Sequence, residues 1–174
     1  MENKTFNVPT DSNKHDYAGK SRDHAGVYIP PPMLYVATFF LSVGLQRIAP
    51  ISSGWIDRNG VHIFGWVMLA ASALFIFPAI RQFVISRNTL ITIKPAQSLQ
   101  TTGIYAFTRN PMYLGLLCVY TAIAFIKGNS WTFLMIIPLA LLVQTYVIRK
   151  EEHYLRRAFG SEYEQYKNKV RRWI

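Results

Sequence analysis

The sequence predicts an all-α, polytopic membrane protein with about four transmembrane helices and a cytoplasmic helical extension near its C-terminal end. Three observations carry this. Of the 174 residues, 51% are hydrophobic and only 16% are charged, against roughly 25% charged in soluble domains. The apolar residues gather into long runs separated by turn-forming residues. The basic residues collect where those runs end. A formal net charge of +10 is compatible with nucleic-acid binding, but cations placed at run ends match a membrane surface instead. Membrane lipids, and no nucleic acid, are therefore the expected partners. The length suits one domain. Cys118 is the single cysteine and sits in an apolar run, which reads as packing rather than reactive thiol chemistry. The four histidines are scattered, so no metal site is expected.

Residues 1–29 form a polar arm rich in Asn, Asp, Lys and Ser, with no apolar segment. It is expected to be disordered and cytoplasmic. The membrane domain would occupy 30–174, beginning at the stiff Pro30-Pro31-Pro32 hinge. Spans are expected at about 33–49, 61–81, 111–126 and 131–148. The first is short, and the linker after it carries Pro50, Ser52-Ser53-Gly54 and Asp57-Arg58-Asn59-Gly60, with Trp55 as an interfacial anchor. Pro78 should kink or end the second span, and His62 reads as an interfacial residue. From Phe83 to Thr108 runs a long polar connection interrupted by Leu90-Ile91-Thr92-Ile93. Connections of that length are functional or disordered. Lys127-Gly128-Asn129-Ser130 is a tight turn with Ser130 as the N-cap of the fourth helix, making helices three and four a hairpin. That helix runs on into Arg149-Lys150-Glu151-Glu152-His153-Tyr154. Cytoplasmic helices should cover 149–170, broken near Gly160, with Ser161 and Glu164 at capping-box spacing. Arg171-Arg172-Trp173 then reads as an interfacial anchor.

Lysine and arginine set the orientation. The arm, the second connection and the C-terminal segment are rich in both, whereas the opposite side carries only Arg47, Arg58 and Lys127. A multi-pass protein with both termini cytoplasmic follows, in the inner or plasma membrane if bacterial.

The stretch Thr102–Tyr113, Thr-Gly-Ile-Tyr-Ala-Phe-Thr-Arg-Asn-Pro-Met-Tyr, crosses from polar loop into apolar helix. Pro111 suits a first helical turn, so Arg109 and Asn110 stand beside N–H groups at the positive end of a helix dipole. Tyr105 and Tyr113 flank them. Because the hairpin returns the fourth helix to the same height, Glu151 and Glu152 should lie close by. Carboxylates, cations, amides and phenols beside apolar surface suit a zwitterionic cofactor sharing a pocket with a lipidic partner. The competing reading is that the two glutamates only balance Arg149, Lys150 and Arg156 on a solvated helix.

Thr102–Gly115, followed by Glu151-Glu152, Leu155, Phe159-Gly160, Tyr163, Tyr166 and Val170-Arg171-Arg172-Trp173, resembles the signature of the isoprenylcysteine carboxyl methyltransferase and phospholipid methyltransferase superfamily. The resemblance covers roughly Gln97 to Ile174. It implies an integral membrane enzyme that uses S-adenosyl-L-methionine without a soluble Rossmann domain, and no Gly-x-Gly-x-x-Gly follows a strand here. It also implies cofactor contacts from Gln97, Ser98, Leu99 and Gln100, from Tyr105, from Asn110, Pro111, Met112 and Tyr113, and from Glu151. Arg109 and Arg149 are the candidates for orienting a substrate. Two departures stand out: Asn110 occupies the family's usual histidine position, and Val147 the place of the arginine that orients a prenylcysteine carboxylate. These departures point away from a prenylcysteine substrate, and because no residue is an obvious base for an amine, the acceptor expected is lipidic, or a small carboxylate or thiol. Two other classes remain: a non-enzymatic membrane protein binding lipid or a partner through its basic C-terminal face, and an NADPH-dependent sterol-reductase-like enzyme sharing the Arg-x-Pro-x-Tyr corner.

Overall fold

The computed structural model describes residues 25–52, 54, 59–85 and 98–174. Its regular elements are α1 (Pro31–Ile48), α2 (Asn59–Ile85), a 3-10 turn (Gly103–Ala106), α3 (Pro111–Lys127), α4 (Ser130–Leu134), α5 (Ile136–Leu142), a π-helical turn (Val143–Ile148) and α6 (Arg149–Lys169). No strand occurs among the described residues. Residues 1–24 of the arm, Trp55, and 86–97 of the long connection, including Gln97, lie outside them.

The helix limits follow local chemistry. Pro31 and Pro111 open α1 and α3 at first-turn positions, where a missing N–H costs nothing. α3 closes on Gly128, whose φ of 60° and ψ of 25° are left-handed. The N-cap of α4 is Asn129, one residue before the expected Ser130: the Asn129 side chain accepts from the Thr132 N–H at 3.1 Å. The Ser130 hydroxyl instead donates to the Ile51 carbonyl at 3.2 Å, joining two connections. Pro78 lies inside α2 and does not end it. From Ser130 to Lys169 the chain is one helical run of 40 residues, with a turn at Met135 between α4 and α5 and non-helical backbone angles at Gly160 (φ 52°, ψ −122°). This positive φ is ordinary for glycine and strained for other residues.

Large apolar side chains face outward: Phe40, Leu41, Trp66, Val67, Leu74, Phe77 and Leu141 are all more than half exposed. A surface of this kind covering α1, α2 and α5 is suited to hydrocarbon, not water. Two helices, Gly60–Ile85 and Ser130–Lys169, are long and apolar enough to cross a membrane. The shorter Pro111–Lys127 is apolar as well, and α1 has 18 residues.

The core is narrow. Val27, Tyr35, Tyr120, Leu139, Val143, Val147 and Ile148 are buried together, joining α1, α3, α5 and the π turn. Val27 belongs to the stretch the sequence assigned to the arm, yet it is fully buried. Ser42 and Thr132, both fully enclosed, share a hydrogen bond of 2.8 Å. Away from water each hydroxyl needs such a partner.

The helices alternate in direction, which gathers their ends at two poles. At one pole the Trp131 indole N–H donates to the Ala49 carbonyl at 2.7 Å, and His62 Nδ1 pairs with the Ile126 carbonyl at 3.1 Å. The other pole collects the start of α1, the end of α2, the loop from Ser98 to Asn110, the start of α3 and the start of α6.

α2 and α3 meet at small residues. A Cβ at Gly115 would lie 2.5 Å from Ile76 Cγ1 and 3.3 Å from Phe75 Cβ, and one at Gly65 would lie 2.8 Å from Ile126 Cγ1. Glycine lets these backbones approach as lipid-embedded helices require. Gly115→Val should lower stability by about 1–3 kcal/mol, the usual cost of overpacking. A depressed unfolding midpoint in detergent would register it, and an unchanged midpoint would show that the seam is not close-packed.

Candidate functional site

The second pole is built around two successive carboxylates. In an α-helix neighbouring residues project about 100° apart, so Glu151 and Glu152, in the first turn of α6, serve different partners. Both are partly buried.

Glu152 faces the last residues of the chain. Arg172 grips it with two parallel bonds, Nε to Oε1 at 2.8 Å and Nη2 to Oε2 at 2.7 Å. Arg109 Nη1 adds an ion pair at 3.2 Å to Oε1 and donates to the Tyr163 hydroxyl at 3.2 Å. The backbone repeats the attachment. The Arg109 N–H donates to the Arg171 carbonyl at 3.0 Å. Asn110 Nδ2 and Thr108 Oγ1 both donate to the Arg172 carbonyl, at 2.9 and 3.3 Å. The Trp173 indole donates to Gln144 Oε1 at 2.9 Å and packs on the core. Residues 170–173 thus form a strap across the corner that starts α3. Arg172 and Trp173, expected as an interfacial anchor, turn inward because a carboxylate and an amide await them.

Glu151 faces the other way. The Tyr113 hydroxyl donates to its Oε1 at 2.5 Å. Tyr105 is buried and near enough to interact electrostatically with the same carboxyl. The Tyr35 hydroxyl donates to the Tyr113 carbonyl at 3.0 Å, and the Tyr166 hydroxyl to the Tyr105 carbonyl at 2.7 Å. Burial pushes the Glu151 carboxyl up to about 7, against the pull of the Tyr113 hydrogen bond, and the neighbouring Glu152 charge pushes the same way as burial. Burial also raises the Tyr105 and Tyr166 phenols, so they stay neutral donors at physiological pH.

A third piece closes the loop side. Gln82, near the end of α2, donates to Gln100 Oε1 at 3.1 Å and Thr102 Oγ1 at 3.0 Å. Gln100 Nε2 in turn donates to Ser98 Oγ at 2.8 Å. Gly103 follows with φ of 61°, a turn that aims Tyr105 inward, where its ring meets Phe83 at 5.9 Å between centroids.

Of the residues singled out from sequence, Tyr105, Tyr113 and Glu151 converge on one spot. Ser98 and Gln100 share one hydrogen-bonded loop with the partly buried Leu99 between them. Asn110 and Pro111 are buried at the start of α3, with Met112 partly buried beside them. Arg109 is held by Glu152 and Tyr163, while Arg149 is exposed and makes no ion pair among the described residues. Val147 is buried in the core. Tyr35, inside the first expected span, was not singled out from the sequence. The available signal was its phenol, which needs a partner wherever it leaves water.

A glutamate with a raised folded-state value holds its proton through the window from 4.5 to about 7, where the unfolded chain has already released it. Stability from this group therefore falls as pH rises across that window. Glu151→Gln should flatten the pH dependence of the unfolding midpoint and exceed the wild type above pH 7, read by thermal unfolding in detergent. Arg172→Ala leaves Glu152 with one cation fewer and should cost about 1–3 kcal/mol, the range for hydrogen bonds to charged groups. Faster exchange of the Arg109 amide would accompany it.

No solved structure matches this chain. The family model described as phospholipid methyltransferase matches residues 61–162, more than half of it. An uncharacterized protein of Haemophilus influenzae is 44% identical over 63 residues, 36% of this chain and 100% of that protein. The protein-S-isoprenylcysteine O-methyltransferase of Saccharomyces cerevisiae is 38% identical over 80 residues, 41% of this chain and 30% of the yeast protein. The matched stretch thus spans less than a third of the yeast relative's length. The matched family region runs from α2 to α6 and contains Tyr105, Asn110, Tyr113, Glu151 and Glu152. An outwardly apolar helical bundle carrying that corner, matched over most of its membrane part, belongs to the phospholipid methyltransferase family and is a membrane methyltransferase.

Proposed function

We propose that the chain is an S-adenosyl-L-methionine-dependent methyltransferase working at the cytoplasmic face of the membrane, on a lipidic or small carboxylate or thiol acceptor. The observation that carries this reading is the Tyr113–Glu151 contact: a partly buried carboxyl, braced by phenols and with no cation paired to it among the described residues. Four spans, at about 33–49, 61–81, 111–126 and 131–148, would place this pole and both termini in the cytoplasm, with 1–29 as the arm and 30–174 as the enzyme domain.

The residues present fit such a cofactor. When bound, S-adenosyl-L-methionine supplies a methyl group on a cationic sulfur. Glu151 would take its ammonium or ribose hydroxyls by charge-assisted bonds. Tyr105 and Tyr113 would offer ring faces to a cation, worth roughly 0.5–2 kcal/mol. The N–H groups of Met112 and Tyr113 precede the first intrahelical bond, from Leu114 N to the Asn110 carbonyl at 3.0 Å, so they are placed to meet a carboxylate. Asn110 has given one amide hydrogen to the strap and keeps a second for the same carboxylate. Ser98, Leu99, Gln100 and Gln97 would meet adenine. Arg109, engaged with Glu152 and Tyr163, would brace the corner that carries these groups. A carboxylate or thiolate acceptor requires no general base, so the chain's task is positioning and desolvation.

Calorimetry in lipid nanodiscs tests this. S-Adenosyl-L-methionine should bind saturably, and Glu151→Ala and Tyr113→Phe should each weaken it about tenfold, or 1.4 kcal/mol. Because a cationic ligand favours ionised Glu151, affinity should fall as pH drops through about 7, with proton release on binding below that value. Unchanged affinity in both variants overturns the site assignment. No binding by the wild type overturns the cofactor.

A further inference from the structure

Away from the carboxylate cluster, on the outer side of the loop that carries Tyr105, a groove of about 350 Å³ is lined by Phe77, Pro78, Arg81, Gln82, Gly103 and Ile104. Its floor is α2 and its far wall is the 3-10 turn. Gln82 fastens the two together through Gln100 and Thr102, so the wall does not depend on a ligand to stand where it is. Gly103 contributes no side chain, and its backbone (φ 61°) turns the wall outward. Phe77 and Pro78 are exposed, as is Arg81 one turn further along α2. Phe77 and Pro78 belong to the apolar surface of α2, and Arg81 is a cation set within it, with exposed Val84 and Ile85 beyond. No ion pair to Arg81 occurs among the described residues.

We propose that this groove binds one bilayer glycerophospholipid, its phosphate on the Arg81 guanidinium and its first methylenes against Phe77, Pro78 and Ile104. Three features select that occupant. A guanidinium presents paired donors that match a phosphate. The apolar lining continues directly below the cation, so one molecule must carry an anion and a hydrocarbon chain in sequence. The volume is near the lower limit for small-molecule sites, enough for a headgroup junction and the start of a chain but not a whole lipid. The remainder lies in the bilayer, along the exposed face of α2. The wall residue Ile104 adjoins Tyr105, so an occupied groove packs the outer side of the loop whose inner side meets Glu151. The inference rests on the membrane setting and not on the methyl donor, and its test contains no cofactor.

Native mass spectrometry of delipidated protein checks it, with phosphatidylglycerol, phosphatidylcholine and diacylglycerol offered in turn. The wild type should retain one phosphatidylglycerol or phosphatidylcholine more firmly than diacylglycerol, by about fivefold for one interfacial cation. Arg81→Gln should abolish that preference, Arg81→Lys should keep most of it, and Ile104→Trp, which fills the groove, should lose the bound lipid altogether. Equal retention of diacylglycerol by the wild type, full retention by Arg81→Gln, or displacement of the lipid by millimolar inorganic phosphate would each overturn the proposal.

Discussion

The bond pattern on Glu152 is the constraint on which the functional pole depends. One carboxylate accepts two parallel bonds from Arg172 and an ion pair from Arg109, drawing together α6, the strap and the residue preceding α3. With only 14% of its side chain exposed, Glu152 would be costly to leave unpaired, so the three segments are held in a single arrangement. The strap's carbonyls complete it by accepting from Arg109, Asn110 and Thr108, which places the start of α3 at a set height against α6. Glu151, one residue earlier and about 100° around the helix, is then carried to Tyr113.

The π-helical turn from Val143 to Ile148 matters for the same reason. A π turn holds more residues than an α turn and shifts every later side chain around the axis. It lies directly before the two glutamates and places Val143, Val147 and Ile148 in the core, leaving Arg149 and Lys150 outside. It also opens Gln144 to the Trp173 indole. A helix of uniform pitch through the same residues would present a different face to the corner. The π turn thus links burial in the membrane core to the aim of Glu151.

The site has a division of labour that explains its unequal electrostatics. Glu152 is neutralised by protein cations and serves the fold. Among the described residues Glu151 meets phenols and no cation, and burial lifts its carboxyl into the neutral range. A group kept in that state is stabilised by an incoming cation more than a satisfied one would be. Tyr113 and Asn110, three residues apart, divide in the same way, the first toward Glu151 and the second partly toward the strap.

Much was legible in the sequence because it depends on chemistry local to the chain. Apolar runs bounded by proline, glycine and basic residues located the helices. Pro111 marked the start of α3, and Gly128 and Gly160 marked turns through backbone freedom. The clustering of Tyr105 and Tyr113 with Glu151 was readable from helix direction plus the spacing of motif residues. What the sequence could not decide was direction around an axis and the pairing of distant segments. Whether Arg172 faces lipid or Glu152, whether Tyr35 is a core filler or a donor to Tyr113, and which of two adjacent glutamates meets the phenols all depend on the π turn and on contacts spanning up to 78 residues. Periodicity assumes a constant pitch, and a basic residue near an apolar run looks the same whether it snorkels to water or turns to a buried carboxylate. Only the folded bundle, which pairs Arg172 with Glu152 and Tyr35 with the Tyr113 carbonyl, resolves those choices.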